Sequence, residues 1–303
     1  MRRLASEILK DLELRVAHLE SGFQGELRKS IEVVIENTPS NIRIDRVEFP
    51  RTQEEFLEIE ANNVPVIFYN CPLGTNMVNR LELFKSDFNP MVESRLADRN
   101  KKDIGGLLEI SLQDLLRSNF ERGSRYVGKH RLNTRALKKL LGVNLYGKGQ
   151  ILEGMGINSA NMWCGPKGCV TPLHLDTINN LAWNVYGQKT WFLVSPEDMY
   201  HKAYLESFKE PYEEDYKGDW TRNDNGRSPT FSKMTENPLK SFNHFPMSRG
   251  IKFHKVVFRE NEMLYLPAYW GHYVNTDSDS LMINHWYDEV PIILSSTRVK
   301  GNL

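Results

Sequence analysis

Residues 171–176 read TPLHLD, which sets an imidazole and a carboxylate two positions apart. On a β-strand, positions i and i+2 project to the same side, so His174 and Asp176 can converge on one point. An imidazole and a carboxylate are two-thirds of the 2-His-1-carboxylate set that holds a non-haem Fe(II) and leaves coordination positions open. The set needs one more histidine, brought close by folding.

The chain offers eight histidines. His18 falls in a helical stretch, His130 in a basic loop or helix, and His201 and His244 in or beside a polar insert. His254 alternates with Val256 and Phe258, and His285 points away from Asn284, so both read as packed core residues. His272 ends LYLPAYWGH (264–272), where an apolar strand runs into a proline and a tight aromatic turn. Function is often carried on strand-end loops held by a rigid sheet, which singles out His272. It follows His174 by 98 residues, a separation that requires a closed β architecture. A lone His-x-Asp is more often structural than metal-binding, so the motif gains weight only from its distant partners.

Outward from the motif, the chain after Gly156 is strand-like and aromatic. NSANMWC, NLAWNVYGQKTWFLV, KFHKVVF, EMLYLP and SLMINHWY all read as strands, and the glycine turns GPKG, YGQK and YWGH punctuate them. Many short strands at such spacing point to a β-sandwich or barrel, with Trp163, Trp183, Trp191 and Trp286 as its packing. Upstream, IRIDRVEF (42–49) and VPVIFYN (64–70) read as strands and QEEFLEIEA (53–61) as a short helix. SLQDLLRSNF (111–120) has a serine N-cap and an apolar face, and NTRALKKLLG (133–142) is a second such helix. Residues 72–106 read as irregular. Residues 3–38 carry a helical apolar spacing, ended by Pro39; that segment packs on the core or serves a homodimer. The expected division is a helical segment 1–40 and a catalytic domain 41–303. The core barrel spans about 155–290, with a polar insert at about 201–250. The acidic run EPYEEDYKGDW (210–220) reads as a solvated loop or as a lid for a basic substrate.

Composition narrows the partners. Lys+Arg and Asp+Glu are both 39, so no global charge draws the chain to nucleic acid or an anionic membrane. The three cysteines, Cys71, Cys164 and Cys169, are too few for a disulfide framework or a four-ligand zinc site. No run approaches the ~18 apolar residues of a membrane span, and no apolar stretch follows Arg2 and Arg3 as in a secretory signal. A cytoplasmic protein is the expectation.

TPLHLD, NLAWNVYGQK, LYLPAYWGH and INHWY together resemble the JmjC, or cupin-like, branch of the 2-oxoglutarate oxygenases, over roughly residues 45 to 288. The combination is specific: HxD, Lys189 fifteen residues after His174, a distal histidine after a Leu-Pro turn, and Asn284 twelve residues beyond His272. The branch includes the asparaginyl hydroxylase that restrains hypoxia-inducible factor and a hydroxylase of a modified tRNA base. The resemblance implies a mainly β fold with flanking helices, a double-stranded β-helix whose mouth holds Fe(II) through His174, Asp176 and His272. It implies that Lys189 and Thr171 take the distal carboxylate of 2-oxoglutarate, with Asn180, Asn284 and Tyr126 as further contacts. A lysine in a poorly screened barrel interior suits a carboxylate. On the residues alone, Lys189 could instead close a hairpin and Asn284 could be purely structural. The implied reaction consumes dioxygen and 2-oxoglutarate, releases succinate and CO2, and hydroxylates a substrate; retention of Asp176 favours hydroxylation over halogenation. A protein or peptide side chain is the expected substrate. A free amino acid, another small molecule, a tRNA base, or a non-catalytic metal-binding cupin are the alternatives.

Overall fold

The computed structural model describes residues 30–71, 89–96, 108–122, 125–133, 151, 153, 157–203, 230–232, 234 and 245–287. Most of the helical stretch expected at 3–38, the helix expected at 133–142 and the acidic run of the insert lie outside the described residues.

The described strands form two sheets. The larger has nine strands in the order β1-β2-β12-β8-β14-β6-β5-β3-β4 and the smaller has five, β10-β7-β13-β9-β11. In chain order the strands are β1 (Arg46–Glu48), β2 (Val66–Tyr69), β3 (Met91–Leu96), β4 (Leu108–Ser111), β5 (Arg125–Leu132), β6 (Ile157–Gly165) and β7 (Val170–Leu175). There follow β8 (Asn179–Tyr186), β9 (Lys189–Val194), β10 (Thr230–Phe231), β11 (His254–Phe258), β12 (Glu262–Leu266), β13 (Gly271–Thr276) and β14 (Ser280–Tyr287). From β6 to β9, and again from β11 to β14, consecutive strands alternate between the sheets. That winding is the double-stranded β-helix. Among the described strands, only β1 and β2 pair in parallel.

Alternation along each strand separates three apolar layers. Ala182 joins Trp191, Leu193, Leu264, Val274 and Met282 between the sheets. Leu181, Trp183 and Val185 face the other way, under α1 (Gln53–Glu60) and α2 (Leu112–Arg122), against Phe56, Phe68 and Leu115. Because both faces are covered, all eight residues of β8 are buried, its three asparagines Asn179, Asn180 and Asn184 included. The outer face of the small sheet packs on α3 (Pro196–Lys202) and on the helical residues 30–36 through Ile31, Met199, Leu173 and Tyr273. No described helix is long and apolar enough to cross a membrane.

The β8–β9 turn requires a glycine. Gly187 has φ +82°, and a Cβ there would lie 2.1 Å from the Asp279 carbonyl oxygen in the neighbouring β13–β14 turn. The two turns therefore stack backbone against backbone and close one end of the barrel.

Several expectations shift. The span 72–106 contains β3, whose Val92 is buried. His130 lies on β5, a strand rather than a loop or helix. His272 is the second residue of β13, not a loop residue beyond a strand end, because the turn at 267–270 is tight enough for pairing to resume at Gly271. Ser111 accepts from the Asp114 amide, as an N-cap of α2 should.

Candidate metal centre

β7 and β13 are antiparallel neighbours, and His174 and His272 are direct cross-strand partners. Side chains so paired stand close on one face; the two rings lie 4.1 Å apart between centroids. Asp176, two positions beyond His174, brings its Oδ2 to 3.9 Å from His272 Nε2. One donor atom from each of the three lies within 4.8 Å of the others, the sole such group of His, Cys, Asp or Glu among the described residues. Cys164 and Cys169 form no part of it.

The rings are oriented by their own strands. His174 Nδ1 lies 2.8 Å from the Pro172 carbonyl and His272 Nδ1 lies 3.2 Å from the Trp270 carbonyl. A carbonyl only accepts, so each Nδ1 carries a proton, the arrangement in which an outer partner fixes an imidazole that binds a metal through Nε2. Burial holds His272 well below the ordinary imidazole value, aided by adjacent His174 and opposed by the Trp270 hydrogen bond, so it is neutral at physiological pH. Trp191 stacks on it, with centroids 5.4 Å apart and planes 20° apart. Burial raises the Asp176 carboxyl above its usual range, with His174 and Lys129 opposing. The neutral His272 imidazole, the His174 ring and a desolvated carboxylate face one another, a donor set that suits a divalent cation.

Backbone ties keep the three together. The Tyr269 amide donates to the Asp176 carbonyl, and the Ala268 amide donates to Asn179 Oδ1. Asn179 Nδ2 donates to Glu60 Oε1, which also accepts from the Tyr287 hydroxyl. The turn before His272 is thus fastened to the end of β7 and to α1. Tyr269 sits at φ +68°, unfavourable for a bulky residue and held by this network.

Lys189 begins β9 and is 6% exposed, so it is not a solvated hairpin lysine. Its ammonium donates to Thr276 Oγ1 at 3.0 Å. Burial pushes its pKa down to about 8, partly countered by Cys169, Cys164 and Asp277. Thr276 belongs to the inner row 272, 274, 276 of β13, so Lys189 and the His174–Asp176–His272 group address the same interior. An ammonium has three protons to donate; with one hydrogen bond among the described residues, Lys189 has capacity left for a carboxylate.

The remaining candidates divide. Thr171 and His174, three apart, would face opposite sides of a regular strand. A register shift opposite His272–Val274 pairs Thr171 with Val274 and returns it to the inner face. Asn180 is buried on the inner face of β8, and its Oδ1 has no hydrogen-bond partner among the described residues. Asn284 Oδ1 accepts from Trp163 Nε1 at 2.9 Å, leaving the amide protons of Asn284 as donors. Tyr126 lies on β5, two strands from β14, and its ring packs over Gly128, where an added Cβ would lie 3.0 Å away.

Comparison with known proteins agrees with this geometry. The family described as a cupin-like domain matches residues 134–292. Human HSPB1-associated protein 1 is 33% identical over 138 residues, covering 45% of this chain and 25% of that protein. The lysine-specific demethylase JMJ30 of Arabidopsis thaliana is 31% identical over 134 residues, 44% of this chain and 27% of its own length. The human bifunctional peptidase and (3S)-lysyl hydroxylase JMJD7 is 28% identical over 132 residues, 43% and 42% of the two chains. The matched region thus spans between a quarter and under half of these relatives. A double-stranded β-helix with this motif set, matched over half its length by that family, leaves one assignment: the chain belongs to the cupin-like family, in its JmjC branch.

Proposed function

We propose that this chain is an Fe(II)- and 2-oxoglutarate-dependent oxygenase that hydroxylates an amino-acid side chain of a protein or peptide. The observation that carries the reading is the convergence of His174, Asp176 and His272 within 4.8 Å, at the mouth of a barrel that also buries Lys189. The JmjC relatives named as a demethylase and a lysyl hydroxylase support the class of chemistry.

An Fe(II) held by these three ligands supplies the redox chemistry that couples conversion of 2-oxoglutarate and dioxygen to succinate and CO2 with hydroxylation of a C–H bond. The chain supplies everything around it. His174 and His272 present rings that their strands have already oriented, and Asp176 contributes the single negative charge. Lys189 and Thr171 take the distal carboxylate of the co-substrate, and the amide N–H groups of Asn284 and Asn180 donate to its other oxygens. Trp191, Val274, Leu264 and Met282 exclude water from the interior, which strengthens each of these polar contacts.

The test is anaerobic addition of Fe(II) and 2-oxoglutarate, which should produce a visible metal-to-ligand charge-transfer band, followed by aerobic succinate formation. His174→Ala and Asp176→Ala should abolish both and leave the circular dichroism unchanged. Tight zinc binding with no 2-oxoglutarate turnover would instead make the chain a binding cupin. A peptide library read by mass spectrometry for added oxygen tests the substrate class; products only from free amino acids or tRNA would refute the peptide reading.

A further inference from the structure

Thr276 belongs to none of the motifs that carry the family resemblance, yet it stands where the barrel interior ends. It is the last residue of β13, and its cross-strand partner on β9 is Lys189. The Thr276 amide donates to the Cys169 carbonyl at 2.9 Å, and the Thr276 carbonyl accepts from the Gly168 amide at 2.7 Å. The β6–β7 turn on one side and β9 on the other therefore fix its backbone. Its hydroxyl has a set place at the closed end, in the inner row that also carries His272.

The direction of one hydrogen bond decides what that hydroxyl can do. An ammonium only donates, so in the 3.0 Å contact with Lys189 Nζ the Thr276 Oγ1 accepts. A hydroxyl that accepts still has its own proton to give, and no described residue takes the proton of Thr276. A buried O–H without an acceptor is costly, and its retention points to a bound species that supplies one. Thr276 is 5% exposed and Lys189 6%, so neither is sealed off. Two donors 3.0 Å apart match the two oxygens of one carboxylate, each able to take a charge-assisted bond. Lys189 brings the charge on a flexible four-carbon stem; the threonine, on a short stem held by two neighbours, brings the direction.

We propose that Thr276 is a specificity-determining residue for the co-substrate: its hydroxyl accepts from the Lys189 ammonium and donates to the distal carboxylate of the 2-oxo acid. The proposal rests on the oxygenase reading and adds to it a donor from β13, the strand next to the one that carries Thr171. A 2-oxo acid with no second carboxylate leaves both donors unmet in a buried place. A site built on such bonds rejects the analogue that lacks their partner, so the pair selects a dianionic co-substrate over a monoanionic one.

The test uses the full chain loaded with Mn(II) at pH 7, where Lys189, with a pKa of about 8, holds its proton. Two inert ligands are compared by calorimetry. N-oxalylglycine carries both carboxylates; N-ethyloxamate has the same metal-binding end and a methyl group in place of the distal carboxylate. The ratio of their affinities isolates the distal carboxylate from metal binding and from the stability of the fold. Thr276→Val, isosteric and without the O–H, should lower that ratio by about tenfold or more, the scale of a hydrogen bond to a charged group. The N-ethyloxamate affinity should stay where it was, and Thr276→Ser should keep the ratio. Should Thr276→Val not fold, Thr276→Ala takes its place. The Lys189→Met background separates direct contact from action through the lysine, because N-oxalylglycine still chelates the metal there. In it, Thr276→Val should lower the ratio again, by about threefold or more. No further loss would mean that Thr276 acts only by placing the lysine and overturns the proposal, as does an unchanged ratio in Thr276→Val alone. Failure of the wild type to bind either ligand would instead sink the oxygenase reading.

Discussion

Replacing Lys189 with methionine should stabilise the protein and disable it at once. The lysine is 6% exposed, and burial moves its pKa from 10.5 to about 8. A depression of that size corresponds to about 3 kcal/mol against carrying the charge in the folded state. Methionine has nearly the same length and no charge, so the substitution removes that penalty. It also removes the hydrogen bond to Thr276, worth about 1 kcal/mol. The net gain is about 1–2 kcal/mol at neutral pH, or about 2–5 °C in Tm. Co-substrate binding should move the other way, because loss of one partner of a buried ion pair weakens binding by about a hundredfold or more. The wild type has a matching pH signature. Between about 8 and 10.5 the unfolded chain holds the Lys189 proton and the folded chain has released it, so stability rises with pH across that window. Affinity for N-oxalylglycine falls over the same window, approaching about tenfold per pH unit, because the bound carboxylate needs the ammonium. Scanning fluorimetry with and without Mn(II) and N-oxalylglycine, at several pH values, reads all of this. A lower Tm for Lys189→Met without ligand, or an affinity flat across the window, would refute the reasoning.

Three further outcomes follow from the geometry. Asp176→Asn keeps the size of the side chain and removes the only anionic ligand, so Mn(II) affinity by calorimetry should drop more than about a hundredfold, beyond what loss of an orienting partner costs. Glu60→Ala releases Asn179 and the turn at 267–270; metal affinity should fall about tenfold while Lys189 keeps its depressed pKa, readable from the same pH series. Gly187→Ala places a methyl group 2.1 Å from the Asp279 carbonyl at a φ of +82°, and chemical denaturation should show a loss of more than about 2 kcal/mol.

The sequence speaks most clearly where chemistry and periodicity coincide. His174 and Asp176 are legible because a strand places i and i+2 together, and β8, β9, β11, β12 and β14 are legible because apolar and β-branched residues run between glycine turns. β3 is not, since in MVESRL the buried Val92 lies between the exposed Met91 and Glu93, and the segment owes its strand state to pairing with β4 and β5. The helical segment expected before residue 30 and the acidic run lie outside the described residues.

Register is the harder loss, and it bears directly on the site. Period-2 reasoning carries His174 and Asp176 to one face but sends Thr171 to the other, and it points Lys129 away from the barrel. In each case one bulge reverses the outcome: the shift opposite His272–Val274 for Thr171, and the extra residue at Gly128–Lys129 for Lys129. A bulge is a property of two paired strands, set by what the partner offers at each position. A single chain read in order shows one of those strands at a time. Thr276 escapes for a related reason: its place beside Lys189 follows only once β13 is known to resume at Gly271, with rows 272, 274 and 276 facing inward. The ligands of the metal are therefore local enough to read, whereas the groups that give the pocket its charge pattern become visible only when two strands are laid side by side.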